Sequence, residues 1–444
     1  HQRLSPNRSQ PAVTATVVQS GDYTLEIDTG APVQGFRLDD AVRGVLDGTT
    51  YVLDGLTDFA DVSDGVKGIR IKRGRRDISD QFSAGTMTFV LDDTAAGGVF
   101  NPFATDSPYY DPANAKSGLA PMRLVRLYRE SDLLFVGRIV DYDYNFALDG
   151  EDTVSVTCAD DFYLLAQTVT DEVHIDKELS GARIEAILDL TEVNYPTGAA
   201  RSIATGTVEL GGHTGGGGGG HDYDLELGQN VLDYLRLVND AERGRLFIDR
   251  EGVLVFENRI GLTLSAAVAD FYDDGTNYPY RNVDISFGAD KVVNLVFVQS
   301  LGNDSGTASD ATSQSEYFIQ SLAVTGSLLD TDAACEALAT YLLNPEPEPT
   351  FTAVEVAFSQ LSDAQRDVVA TIDIGDTITI EKSFINGAST TQLAQELAVE
   401  GVEHYIDTAG GHVARFYTSP TTIVYELILD DAVYGVLDAL NALG

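Results

Sequence analysis

The chain has 444 residues, 43% of them apolar and 9% aromatic, and 69 acidic against 28 basic residues give it a formal charge of −41. That length calls for two to four domains and the apolar content excludes a disordered chain. The charge excludes free nucleic acid and anionic membranes as specific ligands, because both would be repelled.

No apolar run approaches the roughly 18 residues of a membrane span, so no stable membrane insertion is expected. The start, HQRLSPNRSQPAV, lacks the charged-then-apolar layout of a signal peptide, and a soluble protein is expected. Six of the 28 basic residues are lysine and Asp outnumbers Glu. That bias fits a halophilic host, where a hydrated carboxylate surface keeps proteins in solution, and it equally fits a GC-rich genome. Cys158 and Cys335 are the only cysteines. They read as buried small hydrophobes, which leaves no disulfide framework.

Residues 1–64 read as a loose polar arm followed by short strands with Asp/Gly turns. They contain Leu38-Asp39-Asp40-Ala41-Val42-Arg43-Gly44-Val45-Leu46-Asp47, which residues 429–438 repeat at nine of ten positions. In the second copy, within 426–444, Leu429, Val433, Val436 and Leu437 share one face of a helix, with a compact turn as the alternative. Each copy either closes its own domain or docks an equivalent groove on a neighbouring subunit.

Residues 65–165 alternate in the β manner, with Ile69, Ile71, Met87, Phe89, Leu91, Leu124, Leu127, Phe135, Ile139, Val154 and Val156 as the buried set. The first strand of this unit places Lys67, Arg70, Lys72, Arg73, Arg75 and Arg76 within ten residues. They either pair with the chain's own carboxylates or complement an acidic neighbour subunit, where guanidinium forks fix orientation. Asn101 to Ser117 reads as a long ordered loop.

Residues 166–284 change to an α+β pattern. Helices are expected over Ser180–Leu190 and Asn230–Glu242, then a hairpin of Arg245–Asp249 and Val253–Phe256. Six glycines at 215–220 form a flexible loop. Residues 285–425 return to β, with strands centred on Asn294–Gln299, Ala353–Phe358, Thr377–Ile380, Val399–Tyr405 and Ala414–Tyr417. A helix over Asp332–Leu343 precedes the stiff connector Pro345-Glu346-Pro347-Glu348-Pro349. Ser300–Ser315 reads as a polar loop.

Catalytic and metal signals are weak. Asp28-Thr29-Gly30 matches the loop of aspartic proteases, and a hydrolase built on it is the alternative function. That chemistry needs a second such loop, and Asp407-Thr408-Ala409-Gly410 lacks the glycine directly after Thr. His213, His221, Asp222 and Asp224 include metal-ligand types, but the two histidines straddle the glycine run, which is too flexible to preorganise them. Asp270–Gly275 breaks calcium-loop spacing and reads as a solvated turn. No phosphate cradle, serine elbow or zinc-protease helix is present. The expectation is therefore no catalytic, cofactor or metal site.

The ordered set Arg73-Gly74-Arg75, Ala84-Gly85-Thr86, Phe89-Val90-Leu91, Phe100-Asn101-Pro102, Pro121-Met122-Arg123, Gly137-Arg138 and Asp160-Asp161 to Leu164-Leu165 resembles the siphovirus minor tail and tail-tip (baseplate) hub proteins. Val231–Arg259 resembles the α+β domain inserted in such hubs, and Ile374-Gly375-Asp376-Thr377 a strand entry of their second barrel. The resemblance implies a mainly β chain with an α+β insertion: two β-barrel domains of tail-hub type plus a helix-containing middle domain. It further implies a structural virion protein at the tail tip, not an enzyme, assembled as a homotrimer whose six barrels make a pseudo-sixfold ring. Its implied partners are the distal tail or tail-tube protein, the tape-measure protein and other tip or fibre proteins, with no sequence-specific nucleic acid. The acidic surface would then suit a channel wall past which DNA slides without sticking.

Overall fold

The computed structural model describes residues 23–29, 59–111, 115–213, 223–259, 266–275, 277–386, 389–407, 411–420, 425–426 and 441–442. The first β portion holds β1 (Tyr23–Asp28), β2 (Phe59–Asp61), β3 (Val66–Gly74), β4 (Ser83–Asp92), a small hairpin of β5 (Tyr110–Asp111) and β6 (Lys116–Ser117), then β7 (Leu124–Arg129), β8 (Asp132–Asn145) and β9 (Thr153–Ala159). The period-two pattern is what forms them. Ile69 and Ile71, Met87, Phe89 and Leu91, Val125 and Leu127, and Val154, Val156 and Cys158 are all buried, on strands whose intervening residues are more exposed. The strands lie in the order β3-β4-β9-β8-β7-β1-β2, every neighbour antiparallel.

The insertion contains α1 (Phe162–Gln167), β10 (Glu178–Leu179), α2 (Ser180–Leu188), β11 (Arg201–Ile203), β12 (Glu209–Leu210), α3 (Val231–Glu242), β13 (Arg245–Ile248) and β14 (Leu254–Glu257). Helix α3 starts where the Asn230 side chain accepts the Asp233 amide, and it stops where Arg243 turns left-handed at φ 57°. Val231, Leu232, Leu235 and Val238 form its buried stripe. The expected hairpin is present as β13 and β14, and β11 adds a parallel third strand.

The second β portion runs through β15 (Ala269–Phe271), β16 (Asn282–Ser286), β17 (Leu295–Ser300), β18 (Ser305–Ser309), α4 (Ala311–Tyr317), β19 (Ser321–Ser327), α5 (Asp332–Tyr341), β20 (Thr350–Ala357), α6 (Asp363–Thr371), β21 (Thr377–Asn386), β22 (Ser389–Asp407) and β23 (Gly411–Ser419). Beyond it β24 (Tyr425–Glu426) and β25 (Asn441–Ala442) pair with each other. Strands β16-β20-β23-β22 are antiparallel neighbours, β21 also lies on β22, and β15 lies parallel on β21.

The two portions meet strand to strand. Residues 401–407 of β22 pair with residues 68–74 of β3, so both portions belong to one 13-stranded sheet. The chain is mainly β with an α+β insertion, as expected.

Two expectations fail. Ser300–Ser315 is not a loop: it supplies the end of β17, the strand β18 and the start of α4. Its small residues are there because α5 lies directly on β18; a Cβ on Gly306 would sit 2.1 Å from the Glu336 amide nitrogen. Helix α6 was not foreseen either, although Ser362 and Gln365 form a full capping box at its start.

A basic cleft and the buried ionic seam beneath it

The alternation of β3 sorts its cations. Ile69, Ile71 and Arg73 point to the core face, while Arg70 and Lys72 point outward. Arg73 is 4% exposed and its Nη1 donates to Asp373 Oδ1 at 2.5 Å. The other Asp373 oxygen accepts the Arg250 amide at 2.7 Å. One carboxylate thus joins both β portions and the insertion.

A second such junction lies at Glu400. The β22 ladder shifts between Val399 and Gly401, so Glu400 is an extra residue in the strand. Its carboxylate is 98% buried in side-chain terms and accepts from Arg75 Nε at 2.8 Å, Arg245 Nη2 at 3.0 Å and Ser419 Oγ at 2.8 Å. Burial opposes the charge, but the Arg245 and Arg75 guanidiniums outweigh it and hold the carboxyl below its ordinary range. Arg75 also donates its amide to the Glu400 carbonyl at 2.9 Å and stacks over Phe82 at 4.4 Å. The next residue must be glycine, because a Cβ on Gly401 would lie 2.3 Å from the Arg75 carbonyl oxygen.

Lys72, Arg75 and Arg76 rim a cleft of about 430 Å³, lined also by Arg73, Asp80, Glu403 and Tyr417 among others. Lys72 lies 3.4 Å and Arg76 2.9 Å from Glu403. Burial raises the Glu403 pKa, yet the Tyr405 hydroxyl, Arg76 and Lys72 more than compensate and leave it lowered. Arg70 donates to the Tyr405 hydroxyl at 2.8 Å and sits 4.7 Å above its ring. Lys67 pairs with Asp92 at 3.0 Å and with Glu151.

Five of the six cations pair with the chain's own carboxylates. Arg73 and Arg75 are turned inward, keeping 2% and 11% of their side-chain surface. Lys72 and Arg76 keep about half of their side-chain surface, at 46% and 56%. Leu429, Val433, Val436 and Leu437, and the earlier copy at 38–47, lie outside the described residues.

The remaining candidates are dispersed. Asp28 ends β1 with Thr29 buried beside it, Asp407 ends β22, and the rest of both loops lies outside the described residues. Cys158 and Cys335 are buried and unbridged, and burial pushes the Cys335 thiol up to about 11. Asp273, within the expected solvated turn, pairs with Lys382 at 2.6 Å. His213 and Asp224 do come together, and His174 joins them; His221 and Asp222 lie outside the described residues.

Sequence reasoning missed Glu400, Arg245 and Asp373. A signal existed for the first two: Glu400 interrupts the apolar run Leu397-Ala398-Val399, and Arg245 leads the buried run Leu246-Phe247-Ile248. A charge inside such a run implies a buried partner.

No family model matches the chain, and no curated protein matches it. Solved structures do. The tail protein from Neisseria meningitidis MC58 superposes with a TM-score of 0.52 at 13% identity, over 81% of this chain and 93% of that one. The 43 kDa tail protein of prophage MuSo2 from Shewanella oneidensis gives 0.50 at 11% identity, over 82% and 96%. The prophage tail protein gp18 from Listeria monocytogenes EGD-e gives 0.50 at 9% identity, over 90% and 95%. The chain has the fold of these phage tail proteins.

Proposed function

We propose that this chain is a structural subunit of a phage-type tail, a hub at the tail tip that joins the tail tube to distal tip proteins and forms part of the genome-ejection channel. The observation that carries the reading is the shared fold, which extends over nearly the full length of the tail proteins it resembles. Two antiparallel strand groups locked edge to edge by β3 and β22 suit a subunit that contributes two units to one wall. Three copies would then supply six such units, matching a sixfold tube to threefold tip parts.

Partners in this reading are two further copies of the chain, the distal tail or tube protein, the end of the tape-measure protein, and tip or fibre proteins. Large apolar side chains at exposed positions, among them Phe103, Leu148, Phe318 and Ile385, are surfaces such neighbours would cover. The acidic excess suits a lumen that DNA crosses without binding. The role needs no catalysis.

The test is the mass of the purified particle together with a count of copies per virion. A ring of three has a mass of about 143 kDa, three times the 47.6 kDa chain. A persistent monomer or dimer that is absent from the virion would overturn the proposal.

A further inference from the structure

His174, His213 and Asp224 come from three separate stretches of the insertion. His174 lies just before Ile175 in the segment ahead of α2. His213 follows β12, and Asp224 precedes α3. Their ligand-type atoms all lie within 4.8 Å of one another. Both Nδ1 atoms converge on the same oxygen, Asp224 Oδ2, at 2.7 Å each, and the imidazole rings overlap with centroids 4.1 Å apart.

The backbone under each ligand is pinned. Val173 and Leu225 exchange two hydrogen bonds of 3.1 Å, and the His213 amide donates to the Ile175 carbonyl at 2.6 Å. The second Asp224 oxygen accepts the Ile175 amide at 2.9 Å, which sets the plane of the carboxylate. A metal-ligating carboxylate needs such an outer partner to orient it and a side left open to the ion. His174 supplies the opening, with 63% of its side chain exposed.

We propose that His174, His213 and Asp224 bind a divalent first-row transition ion, with zinc the best match. Two imidazoles and one carboxylate are a borderline-soft donor set that suits zinc, with water completing the tetrahedron. Ligand atoms around zinc at about 2.0–2.1 Å stand roughly 3.3 Å apart, so the present 2.7 Å contacts need open by only about half an ångström. The Nδ1 atoms give up any proton they carry and their lone pairs turn to the ion. His213 and Asp224 flank residues 214–222, which include the six glycines 215–220. The ion therefore staples the two ends of that segment to each other and to the segment around His174. The site does not rely on the glycine run for its geometry, because all three ligands stand on pinned backbone outside it.

The experiment is zinc titration of the full chain, free of any affinity tag, by calorimetry, with the visible spectrum of added cobalt as a second readout. We expect one ion per chain, a rise in thermal midpoint on adding zinc, and a cobalt spectrum of low coordination number. His174→Ala and Asp224→Asn should each weaken binding by more than the roughly 10–100-fold that loss of an outer partner costs. His174 is the most exposed ligand, at 63%, and unchanged circular dichroism of the metal-free His174→Ala variant is the check that its fold is kept. Absence of stoichiometric binding, or binding that survives both substitutions unchanged, would overturn the site.

Discussion

Arg245 at the start of β13 and Glu400 in the bulge of β22 form a 3.0 Å ion pair in which the two side chains keep only 3% and 2% of their surface. Arg75 completes it from the edge of β3 at 2.8 Å. The three residues come from the insertion, the second β portion and the first, so this one carboxylate fixes how all three sit. Removing it leaves Arg75 without its ion pair and Arg245 with the 3.3 Å contact to Glu257 in place of two carboxylates. Glu400→Ala is expected to cost about 3–5 kcal/mol, read from urea unfolding of the purified chain. An unchanged midpoint would show that the seam does not hold the portions together.

Gly306 tests the contact between β18 and α5. Any side chain there meets the α5 backbone at Glu336, which cannot swing aside as a flexible side chain would. Gly306→Ala should cost about 1–3 kcal/mol through overpacking and should raise hydrogen exchange in α5 before it does so in β22. Uniform exchange in the variant would contradict the close packing.

The pH dependence of stability is set in part by a buried histidine pair. His404 Nδ1 lies 2.8 Å from His412 Nε2, and His412 Nδ1 lies 2.8 Å from the Tyr23 hydroxyl. Burial and then Arg73 push His404 down to about 3, while burial, His404 and Arg129 push His412 well down. Both titrate near 6.5 when unfolded, so below that pH the unfolded chain binds the extra protons. Their contribution is complete above pH 6.5 and is lost as pH falls toward 3. Asp160 runs the other way: burial raises it to about 7, so its contribution is full below the unfolded value and lost as pH rises. The histidine part is isolated by comparing the native chain with His404→Gln/His412→Gln between pH 5 and 6.5. The native chain should lose up to about 1.4 kcal/mol per pH unit per histidine more than the variant. Equal slopes would mean that the pair is protonated inside the fold.

Lys72 and Arg76 bear on folding through Glu403 and, from their exposed sides, on assembly. Each is half exposed, but the Glu403 side chain they share keeps only 3% of its surface, so Lys72→Ala/Arg76→Ala strips a buried carboxylate of both cations and should cost about 1–3 kcal/mol. If the proposed trimer forms and the cleft meets an acidic neighbour copy in it, the same pair should shift the mass distribution toward smaller species in mass photometry, more so at low salt. An unaltered mass distribution would remove the cleft from the interface.

The strands of both β portions were readable because each buries alternate residues against a core, and alternation is visible in a single sequence. The insertion was readable for the same kind of reason, since α3 carries an apolar stripe and an Asn cap. Two things were not. Strand β18 has no apolar alternation, because its small residues accommodate the backbone of α5, and a string of Ser, Gly and Thr looks the same as a loop. The direction of Arg73 was implicit, two residues beyond Ile71 on the core face, but a cluster of positive charge invites a surface reading. Its partner Asp373 lies 300 residues away, and no local pattern connects them. The meeting of His174 with His213 is of the same class: the His213 amide bonds the Ile175 carbonyl, a contact no local pattern announces.

The ladder between β3 and β22 has a consequence for biosynthesis. Arg70 and its partner Tyr405 are 335 residues apart, so a ribosome has released the β3 edge long before the strand that covers it exists. During that interval the nascent first portion presents an open row of amides and carbonyls, the geometry that invites pairing with another chain. The mutual repulsion of the lysines and arginines along that edge works against such mispairing between nascent copies. When β22 arrives with Glu400 and Glu403, the same charges become the attraction that seats it.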